Sequence, residues 1–330
     1  MVLSGYKSSL FGGFNMPDNT FYNLQQLLRI RAEVRARLEL LPYSGTPEIK
    51  TNKAGQKYLY VRKRVAGKLT STYVDVFSDD LYSALLRYSR ESRDLRKQLR
   101  KVEKELAILG HAEKDLSSQV QINLDFARAN MKSNIYDQAI LEGVTTTFPQ
   151  TETVIENGIV SGMTPTDIQK ILNLKHAWEF ILDKDVISAP TDYFLLCYIA
   201  RLINEGFFHD GGKIRSVPVT IGGTKYVPPL PIEFDVKEQI SNIVQSNSTP
   251  IDTAIELCLY CMKTQIFTDG NKRSSVIIAN HYLIAHGAGL LVIPEKNVPE
   301  FKSLLVHYYE NKDIDLSLIH ISEPTRPISI

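Results

Sequence analysis

The chain has 330 residues, 43% hydrophobic and 23% charged, with 18 Gly and 15 Pro. This is ordinary globular composition and excludes collagen-like, low-complexity and wholly disordered chains. The net charge of +1 hides a split: residues 1–110 carry +9 and the remainder −8. Such a split fits either an interaction patch or two halves that attract one another. No apolar run reaches the roughly 18–20 residues of a membrane helix, and the N-terminus lacks a signal-peptide layout. Three cysteines imply no disulfide framework, so a cytoplasmic location is expected.

Residues 21–40 have helical spacing at Leu24, Leu27, Leu28, Val34 and Leu38, and Pro42, Gly45 and Pro47 end that pattern. Between Lys57 and Phe77, two β-rich runs flank Ala66-Gly67 and predict a hairpin carrying Arg62, Lys63 and Arg64. From Asp79 to Leu109, Leu95, Leu99, Val102, Leu106 and Leu109 form a coiled-coil-like seam, ended by Gly110. The outer face of this helix is basic (Arg93, Arg96, Lys97, Arg100, Lys101, Lys104), but no base-stacking aromatics are interleaved with it. A solvated face is therefore the expectation, with nucleic acid the lesser reading.

Beyond Gly110, three-four periodicity predicts helices over 166–183, 191–205, 251–263 and 272–286. The exception is 211–229, where Gly222-Gly223 between β-branched runs predicts a second hairpin. The expected divisions are a basic N-terminal region (1–115), a helical domain (116–316) and a foreign tail (317–330). The tail reads LIHISEPTR over 318–326, which resembles a translated transposon-type sequencing adapter. The natural protein is therefore expected to continue past Leu316.

The segment richest in chemistry is Gln265 to Arg273, QIFTDGNKR. An apolar helix runs into the turn Asp269-Gly270-Asn271, and a new helix starts there. A helix N-terminus offers free N–H groups and a positive dipole end to an anion. Asp269 adds a hard oxygen suited to Mg²⁺, and Arg273 a guanidinium fork suited to phosphate. On spacing alone, a plain capped turn accounts for the segment as well as a metal-phosphate site does. Cys258 and Cys261, inside an apolar helix, read as buried thiols, and His176 and Trp178 as packing residues. The paired glycines fit no P-loop.

The loop resembles the signature of the Fic (Fido) family, HxFxDGNGRxxR, at Phe267, Asp269, Gly270, Asn271 and Arg273. The likeness spans roughly 133–315. Gln138 to Gly143 (QAILEG), followed by Thr145 to Thr147, is similar to the family's inhibitory helix, SxxxEG, within an element near 133–147. ILNLKHAWEFIL is similar to the helix that follows, and GGKIRSVPVTIGG to the family's flap. The resemblance implies a mainly α fold: a Fic-type helical core with a β-hairpin flap, preceded by an α+β region of hairpin and long helix. It also implies transfer of AMP from ATP, or use of another nucleotide, with Mg²⁺. The acceptor would be a hydroxyl on a protein target presented along the flap at 211–229, or on the chain itself.

By the same resemblance, Phe267 anchors the loop and Asp269 holds Mg²⁺. The backbone of Gly270 and Asn271 cradles phosphates, and Arg273 binds the phosphate chain. Glu142, followed by Gly143, obstructs the terminal phosphate. Three positions depart from the pattern. The catalytic His is Gln265, and a carboxamide does not take a proton. His281 and His286 lie at least ten residues past Asn271, about 15 Å along a helix, and are not expected to substitute. The second Gly is Lys272, as in the Doc branch, which phosphorylates its target. The second Arg is Val276, which leaves Lys272 or Arg273 as the alternative partners of Glu142. Transfer is therefore expected to be weak, altered or absent. The alternatives are a non-catalytic nucleotide-sensing or protein-binding module, or a Doc-like phosphotransferase.

Overall fold

The computed structural model describes residues 20–65, 68–111, 115–158 and 160–311. The tail at 317–330 and the Ala66-Gly67 turn lie outside them. The chain is mainly α-helical. Helix α1 (Thr20–Leu40) leads into strands β1 (Thr46–Thr51), β2 (Lys57–Val65) and β3 (Lys68–Val76), then α2 (Asp79–Ile108). Next come α3 (Ser118–Ala129), α4 (Met131–Leu141), α5 (Phe148–Ile155), α6 (Pro165–Ile181), α7 (Lys184–Ile187) and α8 (Tyr193–Ile203). The series ends with α9 (Glu233–Val244), α10 (Pro250–Thr264), α11 (Asn271–Ala285) and α12 (Val298–Tyr309).

Local chemistry explains the clearest boundaries. Ser78 caps α2 by accepting from the Leu81 amide, with Asp79 and Asp80 in the first turn. Thr164-Pro165 and Thr249-Pro250 start α6 and α10 by the same device, with proline just inside the helix. The expected hairpin over 57–77 is β2 paired with β3, and β1 adds a third antiparallel strand in the order β1-β2-β3. β1 was not foreseen. Its sequence TPEIKT is polar and opens beside proline, as suits an edge strand.

The second expected hairpin, over 211–229, is a correction: it contains no paired strand and runs as an irregular segment. Pro218, Pro228 and Pro229 have no N–H to give a ladder. Their carbonyl region is held instead by Arg215, which donates from Nη2 to the Pro228 and Pro229 carbonyls (3.2 and 2.5 Å) and from Nη1 to the Val217 carbonyl (2.9 Å).

The core is built around α11, which packs on α10, α8, α6 and α3. Nearly every α11 residue is buried, so its polar side chains must be satisfied internally. Asn280 meets both the N–H and the carbonyl of Leu291 (2.9 Å each). α1 joins this core through Ala32 and Ala36. A buried bidentate pair from Arg31 to Asp185 (2.6 Å for each bond) also ties it to the α7 turn. Cys258, Cys261, His176 and Trp178 are all buried, and burial raises both α10 thiols, that of Cys258 to about 12.

His281 is wholly buried, between the Val186 carbonyl at Nε2 (2.8 Å) and the Thr191 hydroxyl at Nδ1 (2.9 Å). A carbonyl only accepts, so Nε2 carries the proton and the neutral Nδ1 accepts from Thr191. Burial pushes its pKa from 6.5 down to about 4. The unfolded chain therefore binds the extra proton between those values, and stability falls as pH drops from about 6.5 to about 4. The lost stability is on the order of 3 kcal/mol. Denaturant unfolding across that range is expected to show this slope, and His281→Asn to remove its share of it.

Candidate active site

Helix α10 ends at Gln265, which takes a left-handed conformation (φ 50, ψ 60). Its carboxamide makes two hydrogen bonds: Nε2 donates to the Met262 carbonyl (2.6 Å), and Oε1 accepts from Asn271 Nδ2 (3.1 Å). Asn271 shapes the whole turn. Its Oδ1 accepts from the Phe267 amide (2.9 Å), and its Nδ2 also donates to the Phe267 carbonyl (2.7 Å). Phe267 itself is 1% exposed in the core. Gly270 sits at φ 76, where a Cβ would lie 2.8 Å from Ile203 Cγ2 and 3.0 Å from Asn204 Oδ1. Only glycine meets both demands. Asn204 Nδ2 in turn donates to the Asp269 carbonyl (2.9 Å).

Asp269 is half exposed and accepts from Arg273 Nη2 through Oδ2 (3.0 Å). Arg273 is 1% exposed and does not line the cleft above the loop. Glu142 lies between two cations, with Oε1 3.5 Å from Lys272 Nζ and Oε2 3.4 Å from Arg273 Nε. Both Lys272 and Arg273 therefore stand where the missing second Arg would have paired. Glu142 is the C-cap of α4, and Gly143 follows it at φ 77. Gln138, one turn earlier, accepts from Trp178 Nε1 (2.8 Å) and fixes α4 on α6.

Above the loop is a cleft of about 410 Å³. Its walls are Glu142, the loop from Gln265 to Lys272, Val219 to Gly222 of the irregular segment, and Lys302, Leu305, Val306 and Tyr309 of α12. The α12 residues were not foreseen, since an amphipathic helix some thirty residues away gives no sequence signal of where it folds back. The irregular segment is fastened on both sides. Arg215, 4% exposed, donates from its amide to the Ile266 carbonyl (2.9 Å) and from Nε to the Gln265 carbonyl (2.6 Å). At the far end Thr224 Oγ1 donates to Glu310 Oε1 (2.9 Å), and Tyr226 stacks on Tyr309.

The site's donor set suits a metal-bound phosphate. The first amides of α11 have no intrahelical acceptor, and Lys272 lines the cleft beside them. Among the described residues no three His, Cys, Asp or Glu side chains form a metal cluster. A cation here would rest on Asp269 and draw its other ligands from phosphate and water, as Mg²⁺ commonly does. His281 and His286 are engaged away from the loop, with Val186, Thr191 and Tyr282.

Residues 190–283 match the Fic/DOC family model, and residues 23–83 match a domain of unknown function, DUF6788. The chain is 27% identical over 216 residues to protein adenylyltransferase Fic from Drosophila mojavensis, covering 62% of this chain and 42% of that protein. It is 25% identical over 183 residues to protein adenylyltransferase fic-1 from Caenorhabditis elegans, covering 52% and 35%. The chain thus spans less than half the length of these curated relatives. Among solved structures, Fic-1 from C. elegans superposes with a TM-score of 0.51 at 18% identity, covering 74% of each chain, a likeness of fold. Residues 190–283, from just before α8 to within α11, thus carry the likeness to the Fic/DOC family. Among the described residues no helix is long and apolar enough to cross a membrane.

Proposed function

We propose that the protein binds ATP with Mg²⁺ in the cleft over the Gln265–Lys272 loop, and that its chemistry is AMP transfer to a protein hydroxyl, weakened by Gln265. One observation carries this reading. A cleft of about 410 Å³, in the usual range for a ligand of nucleotide size, opens on the α11 N-terminus beside the half-exposed Asp269. Asp269 would hold the metal. The metal's contribution, when bound, is to neutralise charge on the phosphate oxygens. The Gly270-Asn271-Lys272 backbone would orient the phosphates, and Arg273, pinned by Asp269, would supply buried positive potential beneath them.

The target would lie along the irregular segment. Val217, Val227, Leu230, Ile232 and Phe234 are all exposed there, an apolar run suited to an extended peptide. The chain's own hydroxyls remain a second acceptor class. The engaged carboxamide of Gln265 favours one alternative, a nucleotide-sensing module without transfer. Lys272 favours the other, a Doc-like phosphotransferase, because its ammonium lies at the cleft wall beside Glu142.

Calorimetric titration with ATP, with and without Mg²⁺, tests the binding. Asp269→Asn keeps an acceptor for Arg273 and removes the charge. It is expected to abolish the Mg²⁺-dependent gain, a loss at least as large as the roughly 10–100-fold typical of a metal site's outer partners. An unchanged metal dependence would remove Asp269 from the role. No ATP binding, even with Glu142 replaced, would end the reading.

A further inference from the structure

The three-stranded sheet has two unlike faces. Leu59 and Val61 of β2 are buried against Leu85 of α2. The strand period of two puts Tyr58, Tyr60, Arg62 and Arg64 on the opposite face. Register brings matching residues beside them: Tyr73 opposes Tyr60, Ser71 opposes Arg62, and Lys50 opposes Tyr58. The rings form one cluster, with Tyr73 5.5 Å from Tyr60 edge-on and 6.2 Å from Tyr58. Tyr73 remains 49% exposed. Lys50 Nζ stands 4.2 Å over the Tyr60 ring. Two carboxylates lie near the rings: Glu48, 3.9 Å from Lys50 Nζ, and Asp75, close enough to Tyr73 that, after desolvation, its charge raises the phenol's pKa.

The charge around these rings is one-sided. Residues 46–76 hold seven basic and two acidic side chains. Arg96 of α2 is tied to the chain just ahead of β1, its Nη2 donating to the Ser44 carbonyl (3.4 Å). The sequence expectation against nucleic acid rested on the absence of aromatics within α2. The sheet carries aromatics of its own, on the face turned away from α2.

We propose that this face binds single-stranded nucleic acid, with bases stacking on the tyrosine cluster and phosphates on Arg62, Arg64 and Lys50. Exposed rings reach only bases that are already unstacked, so a duplex does not fit. An acidic protein would use the cations but has no need of three adjacent rings. Neither the cleft nor Gln265 takes part, so the proposal is independent of the nucleotide reading.

The test uses the full chain and the fluorescence anisotropy of a labelled oligothymidylate about 15 nucleotides long, the upper range of a small single-strand site. Wild type is expected to bind at about 50 mM salt, and its affinity to fall steeply as salt rises. Tyr73→Ala should weaken binding roughly 5- to 150-fold, the span of one base stack, without changing the salt slope. Arg62→Ala with Arg64→Ala should reduce the magnitude of the log–log slope by about 1.4, at about 0.7 per phosphate contact on a single strand. All three side chains are exposed, so melting temperatures should match wild type. Absence of binding at about 50 mM salt overturns the proposal. Equal affinity for duplex with no effect of Tyr73→Ala would mean nonspecific polyanion binding and also overturns it. Displacement by polyglutamate as effective as by oligonucleotide would point to an acidic protein instead, and overturns it too.

Discussion

Gln265→His is expected to raise the rate of AMP transfer by about 10²–10⁴, the usual worth of a positioned general base. The resemblance puts Gln265 at the position of the family's histidine, and a carboxamide has the wrong chemistry for that role. Its amide nitrogen is spent on the Met262 carbonyl and its oxygen on Asn271, and neither atom titrates near neutral pH. An imidazole at that position offers a nitrogen with an ordinary pKa near 6.5. The backbone favours the exchange as well. Gln265 has φ 50, and His is among the residues enriched at such angles, so the variant should fold without loss. Intact-protein mass spectrometry with ATP, Mg²⁺ and a lysate reads the result as an AMP-sized adduct on the chain or on a target. The rate should rise with pH through the imidazole pKa. A variant that binds ATP and forms no adduct would make the nucleotide-sensing reading the correct one.

What could be read from the sequence was what is local. The stop at Gly110 and the turn at Asp269-Gly270-Asn271 mark their helix ends within a turn. The Asp269-Gly270-Asn271 run marked the loop because its turn is largely local: a left-handed glycine, and an asparagine bonded back to Phe267. The misses are non-local. Residues 211–229 have the composition of a hairpin, with Val217, Val219 and Ile221 around paired glycines. Yet Pro218, Pro228 and Pro229 remove donors, and a buried arginine replaces the ladder. Nothing beside Arg215 in the sequence marks it as the residue that joins this segment to the Gln265 carbonyl. Likewise Lys302 and Tyr309 enter the cleft only because α12 folds back across α10, and Tyr58, Tyr60 and Tyr73 become one cluster only through strand register. The partner of Glu142 was open between two cations because both lie on the first turn of α11, and the structure uses both.

Removing Glu142 should have the second large effect. Glu142→Ala is expected to tighten ATP binding by about thirtyfold. Two unit charges roughly 7 Å apart at an effective dielectric of 20 repel by about 2 kcal/mol, and the carboxylate stands on the helix end that would take the phosphates. Gly143, at φ 77, turns the chain directly after Glu142, and the carboxylate lies 3.5 Å from Lys272 Nζ and 3.4 Å from Arg273 Nε. Its fixed negative charge thus stands at the helix end that would take an incoming phosphate. The cost in stability should be modest. Arg273 keeps Asp269 and had no hydrogen bond from Nε to lose. Lys272 is already 31% exposed and returns to water. The loss should therefore fall below the roughly 3–5 kcal/mol of breaking a fully buried pair. Glu142→Gln keeps the shape without the charge and should recover most of the gain, which separates electrostatics from space. Titration calorimetry measures the affinity, and the ATP-dependent rise in melting temperature gives an independent check. In the double variant with Gln265→His, the adduct should form faster than in Gln265→His alone, since one change admits the phosphates and the other accepts the proton. Unchanged ATP affinity in both Glu142 variants would make the contact a structural tie between α4 and α11, with no hold over the cleft.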